Sequence, residues 1–461
     1  MTRRRVVVMI DQASRDAFSQ LLVVKYLRWR GVDVVIANQA TLVPQCEWHR
    51  PHVVFASWLL RSPLTTYLNA IHRRTHVVLV DQEGGRLGEG PFKRSFDLQN
   101  GVKRETGRRC ARVLAWGCAQ ARWLTEIGAV DSAKIVITGS PRFDPYLVPA
   151  PKAGARHLGV TLRGDLITTR PLRQMERLFD RAAPDPRDGI SVGYPHWAQY
   201  EDRMWHVFAS TRYMFRIVQE ASRRIRAPIV VRPGPWEQPT MYDFLPKRIP
   251  TATVAPDQSQ PDYIRNAFAV VDDSSSLSLE GYLVGTPTIT TQALIPRLEE
   301  HIGGSDGGLF NSPYTQAYWR PRSLDEAMDL VIRAEQGMLA PAAVPELLDT
   351  YLRECHSWPR TRPSSFQMAD AILELLDVPL GSRADDERSN TDDGAATLKH
   401  RVYRYVPGAA SMRAAMFYAQ TAAAPDRELL RRYHYFPSRY PHEAEVSRTF
   451  DALLRLTGEC R

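Results

Sequence analysis

Short apolar runs and amphipathic stretches alternate along most of the chain. Arg5-Val-Val-Val-Met-Ile10, Val32-Asp-Val-Val-Ile36, His52-Val-Val-Phe-Ala56 and His76-Val-Val-Leu-Val80 have the length and β-branched content of strands buried in a parallel sheet. Between them, Phe18, Leu21, Leu22 and Leu27 recur at helical spacing up to Gly31, and a second helix is expected near Leu64 to Ile71. Strand, helix and strand continue through Arg112 to Gly117, Ala119 to Ile127 and Lys134 to Thr138. This alternation predicts an α/β protein with a doubly wound sheet whose ligand lies beyond the carboxyl ends of the strands.

The pattern resumes after an arginine- and proline-rich stretch. Gly189 to Tyr194 reads as a strand. Met204, Val207, Phe208, Met214, Phe215, Val218, Ala221 and Ile225 form one apolar helical stripe, a core face rather than a cofactor box. Pro228 to Arg232, Ala252 to Ala255, Ala267 to Val271 and Thr288 to Thr291 are further strands, followed by helices from Leu324 to Glu335 and Val344 to Arg353. The expected organisation is an N-terminal Rossmann-like domain over 1–148, an irregular linker over 149–188, and a second Rossmann-like domain over 189–380. A disordered acidic linker over 381–396 and a helical C-terminal extension over 397–461 follow.

A chain of 461 residues, 44% hydrophobic, is long enough for two such domains. No apolar run approaches the ~18 residues of a membrane span, and Met1-Thr-Arg-Arg-Arg leads into a strand, so a cytoplasmic location is expected. Five scattered cysteines contain no Cys-x-x-Cys pair, which speaks against a disulfide framework and a structural zinc. The net charge of +9 comes almost wholly from arginine, spread without runs interleaved with aromatics, so nucleic acid is not the expected partner.

Four stretches carry candidate chemistry. Asp272-Asp-Ser-Ser-Ser-Leu-Ser-Leu-Glu280 joins a buried strand to a helix that Gly285 and Pro287 end. Ser274, Ser275 or Ser276 can cap that helix, and the same hydroxyls and free N–H groups suit a phosphate; an ordinary well-capped helix reads the same way. Asp81-Gln-Glu-Gly-Gly85 puts two carboxylates and two glycines after a strand, which suits acid/base chemistry and is also a common acidic turn. In Gly139-Ser-Pro-Arg-Phe-Asp144, Arg142 offers a planar guanidinium for phosphate or carboxylate, and Asp144 can hold it or cap a helix. Arg232-Pro-Gly-Pro-Trp-Glu237 closes a strand. Ile302-Gly-Gly-Ser-Asp-Gly-Gly308 lacks the Lys-Ser/Thr ending of a P-loop; a lid is the alternative use.

Together these motifs resemble GT-B-fold glycosyltransferases of bacterial surface-carbohydrate biosynthesis and their capsule and teichoic-acid polymerase relatives, over roughly residues 75 to 295. The resemblance implies two Rossmann-like domains facing across a cleft and transfer of a sugar from a nucleotide-sugar to a surface glycan. It gives Ser274, Ser275 and Ser276 to the donor diphosphate, Glu280 to the ribose, Arg232 and Glu237 to the donor, Glu83 to the catalytic base and Arg142 to charge stabilisation. The nucleotide-sugar is a co-substrate; no metal or further cofactor is implied. The expected acceptor is a glycan or a lipid-linked chain, with peripheral contact at the inner membrane. One departure stands out. The family's histidine in the Arg-Pro-His-Pro turn is Gly234 here, so Arg232, His196 or a basic residue from elsewhere takes its place, or the activity is weakened or altered. Polyol-phosphate transfer, nucleotide-sugar epimerisation and a non-catalytic binding role remain alternatives.

Overall fold

The computed structural model describes residues 4–10, 13–38, 41–58, 62–81, 89, 92–93, 96, 102–149, 156–162, 201–234, 242–254, 259–273, 275–295, 317–342, 345–378 and 443–459. The chain divides into two compact units, Met1–Val148 with Leu352–Arg461, and Pro149–Tyr351. Each has its own parallel sheet, and together they form the tandem Rossmann-like arrangement expected from the strand–helix alternation.

In the first unit the strands are β1 (Arg5–Met9), β2 (Asp33–Ala37), β3 (Val53–Ser57), β4 (His76–Val80), β5 (Arg112–Ala115) and β6 (Ile135–Ile137), in the order β2-β1-β3-β4-β5-β6. Every neighbouring pair is parallel. Helices on both faces explain why β3 and β4 are buried at every position and read as unbroken apolar runs. Strand order reverses between β1 and β3, so the carboxyl ends near Ile10 and Trp58 border the natural ligand crevice of this sheet.

One face of this unit holds helices the sequence assigned elsewhere. Ser364–Leu376 packs on Ala13–Trp29, with the rings of Phe366 and Tyr26 stacked at 4.3 Å. Glu443–Thr457 joins them through Phe450, 5.6 Å from Phe366. Phe366, Met368, Ile372 and Leu375 are buried in the first core, each worth ~2 kcal/mol on leaving water, enough to explain where the returning chain docks. The second unit therefore ends at Tyr351 and not near residue 380. The described part of the C-terminal extension packs on the first unit.

In the second unit the strands are β7 (His157–Thr161), β8 (Ile229–Arg232), β9 (Ala252–Val254), β10 (Ala267–Asp272), β11 (Thr288–Thr290) and β12 (Tyr318–Trp319), in the order β12-β11-β10-β7-β8-β9. All pairs are again parallel. Read from the other side this is the dinucleotide-fold order, with its switch point between β7 and β10. The pivotal strand β7 lies inside the stretch expected to be linker, and it is buried throughout. Gly159 makes it possible: a Cβ there would stand 2.8 Å from the Tyr263 hydroxyl. On helix Glu201–Arg224, Met214, Phe215, Val218 and Ala221 of the stripe are core as expected, clustered with β7 and β8 residues; the side chains of Met204, Val207 and Phe208 lie outside those described.

Candidate functional site

The second unit carries the denser polar constellation, at the carboxyl edge around its switch point. Strand β10 ends in Asp272, fully buried, whose carboxylate accepts the Asp273 N–H at 2.7 Å, the Ser275 N–H at 3.0 Å and the Tyr318 hydroxyl at 2.6 Å. The Ser275 hydroxyl also donates to it. Tyr318, from β12, accepts the Ser275 N–H at 2.9 Å, and Ser275 Oγ accepts the Leu277 N–H at 3.2 Å. Ser275 thus caps the following helix, Leu277–Val284, while Ser276 at the cap position makes no side-chain cap bond. A buried carboxylate already lies under this helix start, and the Ser275 hydroxyl points to it. The Ser275 N–H is taken in the same way, by Asp272 at 3.0 Å and by Tyr318 at 2.9 Å.

Beside this turn runs a second set of contacts. Arg232, at the end of β8 and only 8% exposed, donates from Nη1 to Gln260 Oε1 at 3.2 Å. Gln260 Nε2 in turn donates to Glu280 Oε1, on a residue 2% exposed in the first turn of Leu277–Val284. The guanidinium also lies 5.7 Å from the centre of the Tyr263 ring, whose hydroxyl shares a 3.2 Å hydrogen bond with Thr161. Burial pushes the Tyr263 hydroxyl above its ordinary pKa, so it stays protonated. Gln260 opens the helix Gln260–Asn266, which Ser259 caps by accepting the Asp262 N–H at 3.2 Å. Tyr263 and Ile264 are fully buried in this helix and belong to the core.

The first unit differs. After β6, Gly139 turns the chain at φ 81°, and a Cβ there would collide with Arg360 and Ser364. Phe143 donates its N–H to Ser140 O at 3.1 Å, closing the turn that presents Arg142. The Arg142 guanidinium lies 5.5 Å from the Trp116 ring centre. His356 stands 5.7 Å from Trp116 and 4.9 Å from Phe143; burial, with Arg142 nearby, lowers its pKa to about 3 and keeps it neutral. Asp144 does not cap the helix that follows in sequence. It accepts the backbone N–H groups of Ser364 and Ser365, each at 2.7 Å, and so caps Ser364–Leu376 from 220 residues away. Burial raises its pKa to about 6.

Asp81, the first acid of the predicted acidic turn, is tied to Lys103 at 3.3 Å, and the Lys103 ammonium sits 4.2 Å from the Phe96 ring centre and 5.6 Å from that of Trp58. That pair is buried and structural in form. Glu83, Glu237, Ser274, His196, the 189–194 strand and the 302–308 loop lie outside the described residues. Gly234 is described just past the end of β8, separated from Arg232 by Pro233. Among the described residues, no helix is long and apolar enough to cross a membrane.

Of the predicted site residues, Arg232, Ser275, Ser276 and Glu280 share the carboxyl edge of the second sheet, and Arg142 sits at that of the first. Sequence reasoning missed three participants. Asp272 was in view only as the end of a strand, whereas Gln260 and Tyr318 meet their partners through pairings 20 and 46 residues long.

No protein-family model matches the sequence. No curated protein matches it either. Among solved structures, the chain is similar to a variant of the wall teichoic acid polymerase TagF, with a TM-score of 0.50 and 11% identity over 81% of this chain and 89% of that one. A putative UDP-N-acetylglucosamine 2-epimerase from Listeria monocytogenes gives 0.46 and 11% identity over 84% of this chain and 100% of that one. An S. aureus MnaA–UDP co-structure gives 0.45 and 11% over 83% and 100%. At such identities the likeness is one of fold, and the TagF comparison carries it: a GT-B-like chain with two Rossmann-like units.

Proposed function

We propose that the protein is a glycosyltransferase that takes its sugar from a nucleotide-activated donor and extends a surface glycan or lipid-linked chain. The observation that carries this reading is the Arg232–Gln260–Glu280 array beside the Asp272–Ser276 turn. A cation and an anion, both nearly buried, stand at the switch point of a dinucleotide-order sheet. Buried charges are costly away from functional sites, so their location at the crevice favours ligand binding.

In this reading the second unit binds the donor. Arg232 and the amino end of Leu277–Val284 face the diphosphate, with Ser274 and Ser276 beside them, and Glu280 accepts hydrogen bonds from the ribose hydroxyls. Glu237 completes the donor segment. Glu83 of the first unit takes the proton from the acceptor hydroxyl as its oxygen attacks the anomeric carbon. The bond from that carbon to the phosphate oxygen breaks, and the nucleotide leaves as an anion whose charge Arg142 and Arg232 offset. Guanidinium groups and helix N–H groups can stabilise such a charge without a metal. Gly234 offers no proton to the leaving group, which places more of that work on the arginines.

Polyol-phosphate transfer is the second reading. The fold-level likeness to a teichoic acid polymerase favours it, and in that case the attacked atom is phosphorus. Calorimetric titration with UDP, GDP, CDP and CMP and with their sugar- or polyol-linked forms tests both. Binding of one nucleotide, weakened about tenfold or more in Arg232→Ala and in Glu280→Ala, is the expected result. Glu83→Ala should bind as well as wild type and lose transfer. No binding of any nucleotide removes both enzyme readings.

A further inference from the structure

We infer that Gln260 is a positioning residue of the donor site: a neutral spacer that keeps Arg232 and Glu280 at a fixed separation, so that each meets a different part of a nucleoside diphosphate. The inference rests on the donor-site reading given above and adds a residue to it.

The chemistry of the three groups fixes their order. A guanidinium only donates hydrogen bonds and an ionised carboxylate only accepts them. A primary amide does both, from adjacent atoms. Gln260 therefore turns its oxygen to Arg232 Nη1 and its nitrogen to Glu280 Oε1, and the two charges dictate that orientation without ambiguity. Glutamate in its place has no donor for Glu280 unless protonated. Leucine has neither group.

The backbone makes the spacer rigid. Gln260 is the first residue of Gln260–Asn266, a helix whose start Ser259 caps and whose Pro261, Tyr263 and Ile264 are buried. Tyr263 fixes the same helix to β7 by its hydrogen bond to Thr161 and its seat over Gly159, and it also supports the guanidinium from its ring face. One short helix thus sets the position of the amide and of the arginine together.

The spacing has a consequence for binding. Arginine and glutamate close to one another pair directly, often through two parallel hydrogen bonds, and such a pair spends its charges on itself. With the amide interposed, the cation stays at the end of β8 and the anion stays in the first turn of Leu277–Val284. A ligand with phosphate at one end and vicinal hydroxyls at the other offers acceptors to the first and donors to the second. Loss of the amide lets the two charges collapse into a direct ion pair, which holds the fold together and serves the ligand poorly.

Two variants test this by calorimetry and thermal unfolding on the full chain, with UDP, GDP, CDP and CMP as probes. In Gln260→Ala the Kd of the nucleotide that wild type binds should rise by about tenfold or more while Tm is unchanged or higher. In Gln260→Glu the two carboxylates share one proton, so binding should tighten as pH falls from about 8 to about 5, whereas wild type shows no such trend. An unchanged Kd in Gln260→Ala, or a flat profile in Gln260→Glu, overturns the inference; a lower Tm with unchanged Kd does so as well, because the amide then serves the fold alone. If wild type binds none of the four nucleotides, the donor-site reading fails and the spacer has no ligand. If wild type binds and both variants bind equally well, only the spacer is refuted.

Discussion

Asp144 in the first unit lies in the turn after β6, and Asp272 in the second is the last residue of β10; both are buried near the carboxyl edge of a parallel sheet, and both belong to a motif singled out in the sequence. Their work differs. Asp272 gathers donors from its own turn and from β12, on the far side of β11, taking the N–H groups of Asp273 and Ser275 and the hydroxyls of Ser275 and Tyr318. Asp144 ignores its own turn and caps a helix near the other end of the chain. The first motif shapes a loop beside a candidate ligand site, and the second fastens the returning C-terminal segment to the first core. A match in local sequence therefore does not fix what an acid after a strand is for.

The comparison can be broken, beginning with the larger effect. Asp272→Ala removes the acceptor shared by four donors in a buried turn, and we expect a loss of ~3 kcal/mol with nucleotide binding abolished. Asp144→Ala removes one cap and orphans two N–H groups, at ~2 kcal/mol, with nucleotide affinity kept. Denaturant titration together with calorimetry separates the two. If Asp144→Ala lost affinity as strongly as Asp272→Ala, the division of labour would be wrong. Tyr318→Phe deletes one donor to Asp272 and should cost ~1 kcal/mol, with a smaller loss of affinity.

A pH series sharpens the same contrast. In the folded protein Asp144 holds its proton up to about pH 6, against 3.8 ordinarily, so the native state binds more protons than the unfolded chain between those values. Its contribution to stability falls as pH rises through that window. The cost of Asp144→Asn should therefore be greatest near pH 4 and shrink by on the order of 2 kcal/mol toward pH 7. His157 in β7 and His356 act with the opposite sign. Burial lowers them to about 4 and about 3, so both stay neutral in the fold while the unfolded chain takes up protons below its ordinary 6.5. The second unit, which holds His157, should therefore lose protection from hydrogen exchange as pH drops from about 6.5 toward 4.5. In the first unit Asp144 offsets His356.

Much of this architecture was legible in the sequence because parallel strands buried on both faces have apolar interiors: β1, β3, β4 and β10 could be read to within about a residue at each end. Strand β7 was not. His157-Leu-Gly-Val-Thr161 has a histidine at one end and a glycine in the middle, and the glycine is there to admit Tyr263. Local pattern also could not say that Ser364–Leu376, which follows the second sheet in sequence, packs on the first; that depends on which apolar faces remain uncovered once both sheets form. At the candidate site the charged residues were visible as motif members. Gln260 was not, because an uncharged amide gains meaning only from the two charges that tertiary folding brings to it.

Hydrogen exchange on the wild-type protein with and without the nucleotide it binds tests the central claim most directly. Added nucleotide should slow exchange in residues 229–234, 259–264 and 272–281, around Arg232, Gln260 and Glu280. Exchange that slows only in the first unit, or nowhere, would contradict the assignment of the second sheet's switch point as the donor site.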